Sequence, residues 1–187
     1  PTDRTRPEAI DYHGGRESFT LSKKTSDKLR SLAKTQGATL HSVLLASVNI
    51  LLSKYTGQQD IVTGSPTANR HHRQTEGLIG FFVNTQVNRV HLSDAQTYEE
   101  LIGQVHKDQI EAQAHQDLPF EKLVHELGVD RDPSRHPIFQ VMFEVQTLGN
   151  YQEFTRNGEG VLKRFEGIRG YEVEKFDLSI VIDNSQE

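Results

Sequence analysis

Two periodicities alternate along the chain and predict an α/β fold, a mixed β-sheet with helices packed on it. Apolar residues recur at helical spacing in three stretches, Leu29 to Ala33, Leu40 to Tyr55 and Leu101 to Ile110. Between and after these come stretches of period two. The clearest sets Phe139, Val141, Phe143 and Val145 against Gln140, Met142, Glu144 and Gln146. Interleaved elements of this kind build layered α/β domains. The length, 187 residues, suits one domain, but 34% hydrophobic residues and a mean hydropathy of −0.61 predict a modest core.

The elements follow in order. Pro1 to Pro7 sets two prolines around charges, so an extended connector is expected there. Ser18-Phe19-Thr20-Leu21 alternates like a short strand. Ser22 is a candidate N-cap for a first helix that Gly37 stops. Thr39 caps a second helix through Leu40, Val43, Leu44, Ser47, Val48, Leu51, Leu52 and Tyr55, ended by Gly57; apolar or small nearly all round, it should be buried. Asp60 to Gly64 reads as a strand, Ser65 to Gly77 as a polar loop, and Gly80 to Leu92 as a second strand. Thr97 and Glu100 form a capping box before a third helix. Pro119 suits the first position of a short helix, Phe120 to Leu127, stopped by Gly128. After a charged turn from Asp130 to Pro137 comes the strand of alternating residues, with further strands expected near Val161–Phe165 and Phe176–Ile182. The last of these runs almost to the end of the chain, so the sequence looks cut at both ends.

Composition excludes several kinds of function. No run approaches the roughly 18 apolar residues of a membrane span, and no charged-then-apolar leader opens the chain. The absence of Cys removes disulfide scaffolds, thiolate metal sites and a Cys nucleophile, and fits a reducing cytoplasm. A net charge of −5 argues against nucleic acid as a partner. Phosphate-cradling Gly patterns, H-E-x-x-H and G-x-S-x-G are missing. His106 and His115 are badly spaced for joint metal ligation, so the histidines read as scattered over the surface and no metal is expected. His71-His72-Arg73-Gln74-Thr75-Glu76-Gly77 lies one substitution from the H-H-x-x-x-D-G signature of a large acyltransferase superfamily. Two readings stand for it. His72 could manage a proton if held in a dry pocket, or the stretch, flanked by Arg70 and Arg73, could be a solvated loop.

Three further stretches occur in fixed order: Ile79-Gly80-Phe81-Phe82-Val83-Asn84-Thr85-Gln86 with Arg89, then His115-Gln116-Asp117-Leu118-Pro119-Phe120-Glu121, then Arg131-Asp132-Pro133-Ser134-Arg135-His136-Pro137-Ile138-Phe139. Together they resemble the C-terminal half of the condensation domain of nonribosomal peptide synthetases. Pro1 to Pro7, Thr56 to Val62 and Lys175 to Leu178 add supporting matches, so the resemblance covers essentially the whole chain. It implies one lobe of a two-lobe fold of the chloramphenicol acetyltransferase type, residues 1–187 being the C-terminal lobe and 1–17 the inter-lobe connector. The implied reaction is amide-bond formation between two carrier-bound thioesters, with an acceptor amine attacking a donor acyl carbonyl. No cofactor is expected on the chain itself; phosphopantetheine would arrive on upstream and downstream peptidyl carrier proteins. The other implied partners are the N-terminal lobe and a neighbouring adenylation domain. The family's H-H-x-x-x-D-G lies in that first lobe, upstream of Pro1, which makes His71-His72 a look-alike and leaves this chain without a catalytic residue of its own.

The resemblance also assigns roles. Asn84, Gly80, Thr85 and Arg70 would face the tunnel that receives the pantetheine arms, with strand-end capping as the alternative for Asn84. Arg70 and Arg89 are candidates for ion pairs at the lobe junction. Gln116, Asp117, Pro119 and Glu121 would set a helix start, with Asp117 favoured by the helix dipole. Arg131, Asp132, Ser134, Arg135 and Pro137 would make a hydrogen-bonded corner holding the central strand. The loop 65–77 would form the tunnel floor, and residues 149–174 the crossover that latches the lobes. Competing readings are a carrier- or lobe-docking module without chemistry, an epimerization-type lobe, and a stand-alone acyltransferase.

Overall fold

The computed structural model describes residues 3–75, 77–130, 132–146 and 173–184. Four helices, α1 (Lys23–Thr35), α2 (Leu40–Thr56), α3 (Tyr98–Gln113) and α4 (Phe120–Glu126), accompany four strands, β1 (Asp60–Thr67), β2 (Asn84–His91), β3 (Val141–Gln146) and β4 (Leu178–Asp183). The strands form one mixed sheet in the order β2-β1-β3-β4. The α/β class expected from the sequence is the class observed.

The helices begin where side chains can take their free N–H groups. Ser22 Oγ accepts from Thr25 N, Thr39 Oγ1 from Ser42 N at 3.0 Å, and the Thr97–Glu100 capping box is complete in both directions. Gly57 ends α2 at φ +72°, a conformation L side chains rarely adopt, and its N–H reaches Ser53 O at 2.8 Å. α1, α2 and α3 pack on the sheet around Ala33, Val43, Leu45, Ala46, Val90, Leu101, Ile102, Val105 and Phe143. α2 is buried from Ser42 to Ala46 and again at Asn49, but Leu51 and Tyr55 are exposed, so the expected all-round burial holds for its N-terminal half.

Pairing within the sheet is uneven. β1 and β2 are antiparallel from Asp60↔His91 to Thr67↔Asn84, and β3 and β4 are parallel from Val141↔Leu178 to Gln146↔Asp183. Between these two ribbons, β1 and β3 share the single pair Gly64↔Met142. The seam is filled from the side. The Cβ of any residue at 64 would lie 2.2 Å from the Phe139 ring, and only glycine leaves that space. Phe139 is fully buried and belongs to an aromatic cluster with Phe120, His136 and Phe176, at centroid distances of 5.6, 4.9 and 5.4 Å. Ile138, just before it, sits at φ +70°, and Phe139 N–H closes a tight turn onto Pro137 O at 2.9 Å.

Several expectations need correction. Residues 18–21 form no strand and Phe19 is 87% exposed, because no neighbouring strand offers them a partner among the described residues. β1 continues to Thr67, which takes 65–67 out of the expected loop; Pro66 is tolerated beyond the one β3 pair. β2 starts at Asn84 rather than Gly80, because the preceding backbone folds around Arg70. Pro119 is the N-cap of α4, with extended backbone at ψ 138°, and not its first helical residue. The expected strand near 161–165 and most of the crossover at 149–174 lie outside the described residues, as do Pro1, Glu76 and Arg131.

Candidate functional site

Asn84 ties the first motif stretch to the second. At the first position of β2, its Nδ2 donates to the carbonyls of Gln116 and Leu118 at 2.8 and 2.7 Å, and its Oδ1 accepts from Phe120 N–H at 3.2 Å. Both amide hydrogens are spent and the α4 N-terminus gains the acceptor that Pro119 lacks. Within the chain Asn84 therefore ties the start of β2 to the start of α4. Phe120 passes the linkage on, stacking on His136 of the third stretch at 5.3 Å.

Around Asn84 the β1–β2 surface is polar. Thr67 Oγ1 donates to Gln116 Oε1 at 3.2 Å, Gln86 Nε2 to Ala112 O at 3.0 Å, and Asn88 Nδ2 to Ser65 Oγ at 2.9 Å. Thr85 lies opposite Pro66 in the ladder. Beside these residues the first turn of α2 and the C-terminal half of α3 border an open cleft of about 400 Å³, lined by His41, Ser65, Thr67, Asn88, His106 and Gln109 among others. Ser42 Oγ donates to Gln109 Oε1 at 2.6 Å and lies 3.2 Å from His106 Nδ1, while Gln109 Nε2 meets His41 Nδ1. Burial pushes the His41 imidazole below its ordinary range, partly countered by the Gln109 hydrogen bond. Sequence reasoning missed this cleft, although the spacing of His106 and Gln109 on α3 is a signal that they share a face.

Among the described residues Arg70 makes no ion pair. Its guanidinium donates to the carbonyls of Thr75, Leu78 (2.8 Å) and Gly80 (3.1 Å), and lies 4.2 Å from the centre of the Phe82 ring. It is the hub of the loop, and Gly80 serves it through a backbone carbonyl. Arg89 does pair, reaching across the ladder to Asp60 with Nη2–Oδ2 at 2.7 Å, but on exposed surface. Asp117 also departs from expectation. It is exposed and its Oδ2 lies 3.4 Å from His71 Nε2, so the helix start is served by Asn84, with Glu121 left in the exposed first turn. Nor are all the histidines scattered: His71 and His72 converge with Asp117.

The described part of the corner before β3, Asp132 to Pro137, is closed by hydrogen bonds. Asp132 accepts from Ser134 N–H at 2.9 Å and Ser134 Oγ at 2.6 Å on one oxygen, and from Arg135 Nε at 2.6 Å on the other. The Ser134 hydroxyl and N–H, with Arg135 adding charge, pull the Asp132 carboxyl down to about 2. Pro137 accepts from Phe139 N–H. The N-terminal segment is strapped onto this corner: Arg6 bonds to Ser134 O at 3.1 Å and pairs with Asp177, and Ile10 N–H reaches Pro133 O at 2.8 Å.

Comparison with known proteins identifies the family. The family model described as "Condensation domain" matches residues 1–187. The chain is 42% identical over its whole length to a component of the linear gramicidin synthase of Brevibacillus parabrevis, covering 2% of that protein, and 40% identical to surfactin synthase subunit 1 of Bacillus subtilis, covering 5%. It thus spans a small part of the curated relatives it matches. Among solved structures, a four-domain nonribosomal peptide synthetase bound to AMP and glycine aligns over 82% of this chain and 12% of its own, at 29% identity and a TM-score of 0.80. The X-domain from teicoplanin biosynthesis aligns over 97% of this chain and 40% of its own, at 25% identity and a TM-score of 0.82. With its whole length matched by the family model and by a relative at 42% identity, the chain belongs to the condensation domain family.

Proposed function

We propose that this chain is the C-terminal lobe of a nonribosomal peptide synthetase condensation domain and serves peptide-bond formation between two carrier-bound thioesters. The match of residues 1–187 to the condensation domain family carries this reading. In the reaction the acceptor's amine attacks the donor's thioester carbonyl, the C–N bond forms, the C–S bond breaks, and the amine's proton leaves as the donor pantetheine thiol is released. Such a reaction depends on positioning the two ends and on a base for the proton. This lobe supplies positioning. The tie from Asn84 to the second motif stretch, continued by Phe120 to the third, supports a wall of fixed shape, and any contact Asn84 makes with a pantetheine amide uses the remaining lone pair on Oδ1. Thr85, Gly80 and Arg70 act through the loop and ladder on either side. The base is a histidine of the first lobe, which docks on the exposed apolar residues Leu78, Ile79 and Phe81. The carriers, the adenylation neighbour and a cytoplasmic setting belong to the same proposal.

The test combines the chain with a first lobe and with loaded donor and acceptor carriers, and follows dipeptidyl thioester by mass spectrometry. Product is expected with both lobes and none with this chain alone; product from this chain alone would overturn the division of roles. A second reading has support in one neighbour, the X-domain described in complex with OxyB, which aligns at 29% identity and a TM-score of 0.73 over 78% of this chain. In that reading the lobe docks a protein partner without chemistry, and two joined lobes that hold carriers but yield no product would favour it.

A further inference from the structure

The loop after β1 and the turn before α4 meet at three side chains that the proposed reaction does not use. His71, His72 and Asp117 each offer one ligand atom, and these atoms lie within 4.8 Å of one another. His71 Nε2 stands 3.4 Å from Asp117 Oδ2, and the two imidazole centroids are 4.2 Å apart. We propose that these three residues bind one divalent transition-metal ion of the zinc class, through two imidazole nitrogens and one carboxylate oxygen.

Imidazole with carboxylate is a donor set that suits zinc and its neighbours, and three protein ligands leave a coordination position for water. Ligands about 2.0–2.1 Å from a tetrahedral ion lie roughly 3.3 Å from one another, so the separations need only a modest contraction. The exposed side chains can supply it by rotation. Their backbones are held by residues outside the ligand set. Arg70 gathers the carbonyls of Thr75, Leu78 and Gly80, and Thr75 Oγ1 returns to His72 O at 2.7 Å. On the other side Asn84 grips the carbonyls of Gln116 and Leu118, the residues flanking Asp117. The bound ion clips the loop to the turn, and this holds whether or not the lobe takes part in peptide-bond formation. The rival explanation is a simple His71–Asp117 ion pair, which has no need of His72.

The decisive experiment strips the 187-residue chain with chelator and titrates Zn2+ against a chromogenic indicator, with Co2+ as a spectroscopic probe. One equivalent is expected to bind, and His71→Ala, His72→Ala and Asp117→Asn are each expected to weaken it at least tenfold, roughly the scale on which even outer-shell changes act. His125→Ala, on exposed surface at the end of α4, should leave it unchanged. In the wild-type chain the imidazole NMR signals of His71 and His72 should be the ones that move, a readout that needs no variant to fold. Absence of one-equivalent binding, binding insensitive to His72→Ala, or shifts confined to other histidines would each overturn the proposal.

Discussion

The two ribbons of the sheet are held in different ways. β1 and β2 share an eight-residue antiparallel ladder and lie against the buried faces of α2 and α3, so backbone pairing and apolar burial act together. β3 and β4 are well paired with each other, yet one residue pair joins them to β1, and four aromatic rings take over where the ladder stops. The first arrangement spreads its cohesion over many small contacts. The second also sends Phe143 into that core, but it meets β1 through the aromatic cluster, where the Phe139 ring occupies the space a side chain at position 64 would need. A ladder spreads the loss of one side chain more widely than a seam built on a few packed rings.

The largest effect should come from that ring. Phe139→Ala is expected to cost about 3–5 kcal/mol in denaturant unfolding, and Gly64→Ala about 1–3 kcal/mol by overpacking. The double variant should be less damaged than the sum, since removing the ring makes room for the methyl group. Strict additivity would mean the seam is not packed as described.

Asn84 comes next. Asn84→Ala removes three hydrogen bonds and should cost about 1–3 kcal/mol. Asn84→Asp should be worse, because a carboxylate would face the carbonyls of Gln116 and Leu118 at 2.7–2.8 Å with no hydrogen to offer. Thermal melts that rank Asp above Ala would contradict the donor assignment.

A smaller effect separates the two regions by pH. Burial lowers the imidazole of His41 at the cleft and of His136 at the seam, where Lys175 adds to the depression and the Pro137 and Phe139 backbone opposes it. The unfolded chain then binds these protons before the folded one. Stability should be level above the ordinary imidazole range and fall as pH drops through it. His136→Phe should remove the seam's share of this acid sensitivity and leave that of His41; an unchanged pH profile would refute the assignment. The mildest change is Thr97→Ala, at about 1 kcal/mol, since it loses a cap far from the seam.

Local rules reach most of the fold and less of the site. Ser22, Thr39, Thr97 and Gly57 act within a few residues of themselves, so their roles can be read from neighbours. The alternation around Phe143 likewise reveals which side is buried. Phe19 and Leu21 alternate too, but a strand exists only if another strand meets it, and none does among the described residues. The site depends on partners distant in sequence. Resemblance picks out Asn84, yet its grip on Gln116 and Leu118 spans more than thirty positions, and no spacing rule announces it. For Arg70 charge suggests a carboxylate partner, whereas its acceptors are main-chain oxygens that any sequence carries. His71 and His72 stand far from Asp117 in sequence, and only the fold connects them.

Arg70 has one more consequence, in chain entropy. Sixteen residues, 68–83, connect β1 to β2, a length at which unstructured connections are uncommon in folded domains. By holding the carbonyls of 75, 78 and 80, a residue at 70 divides that span into closures of five, eight and ten positions that share one anchor. The loop behaves as a few short turns wound on a guanidinium. One side chain thus shortens three closures at once.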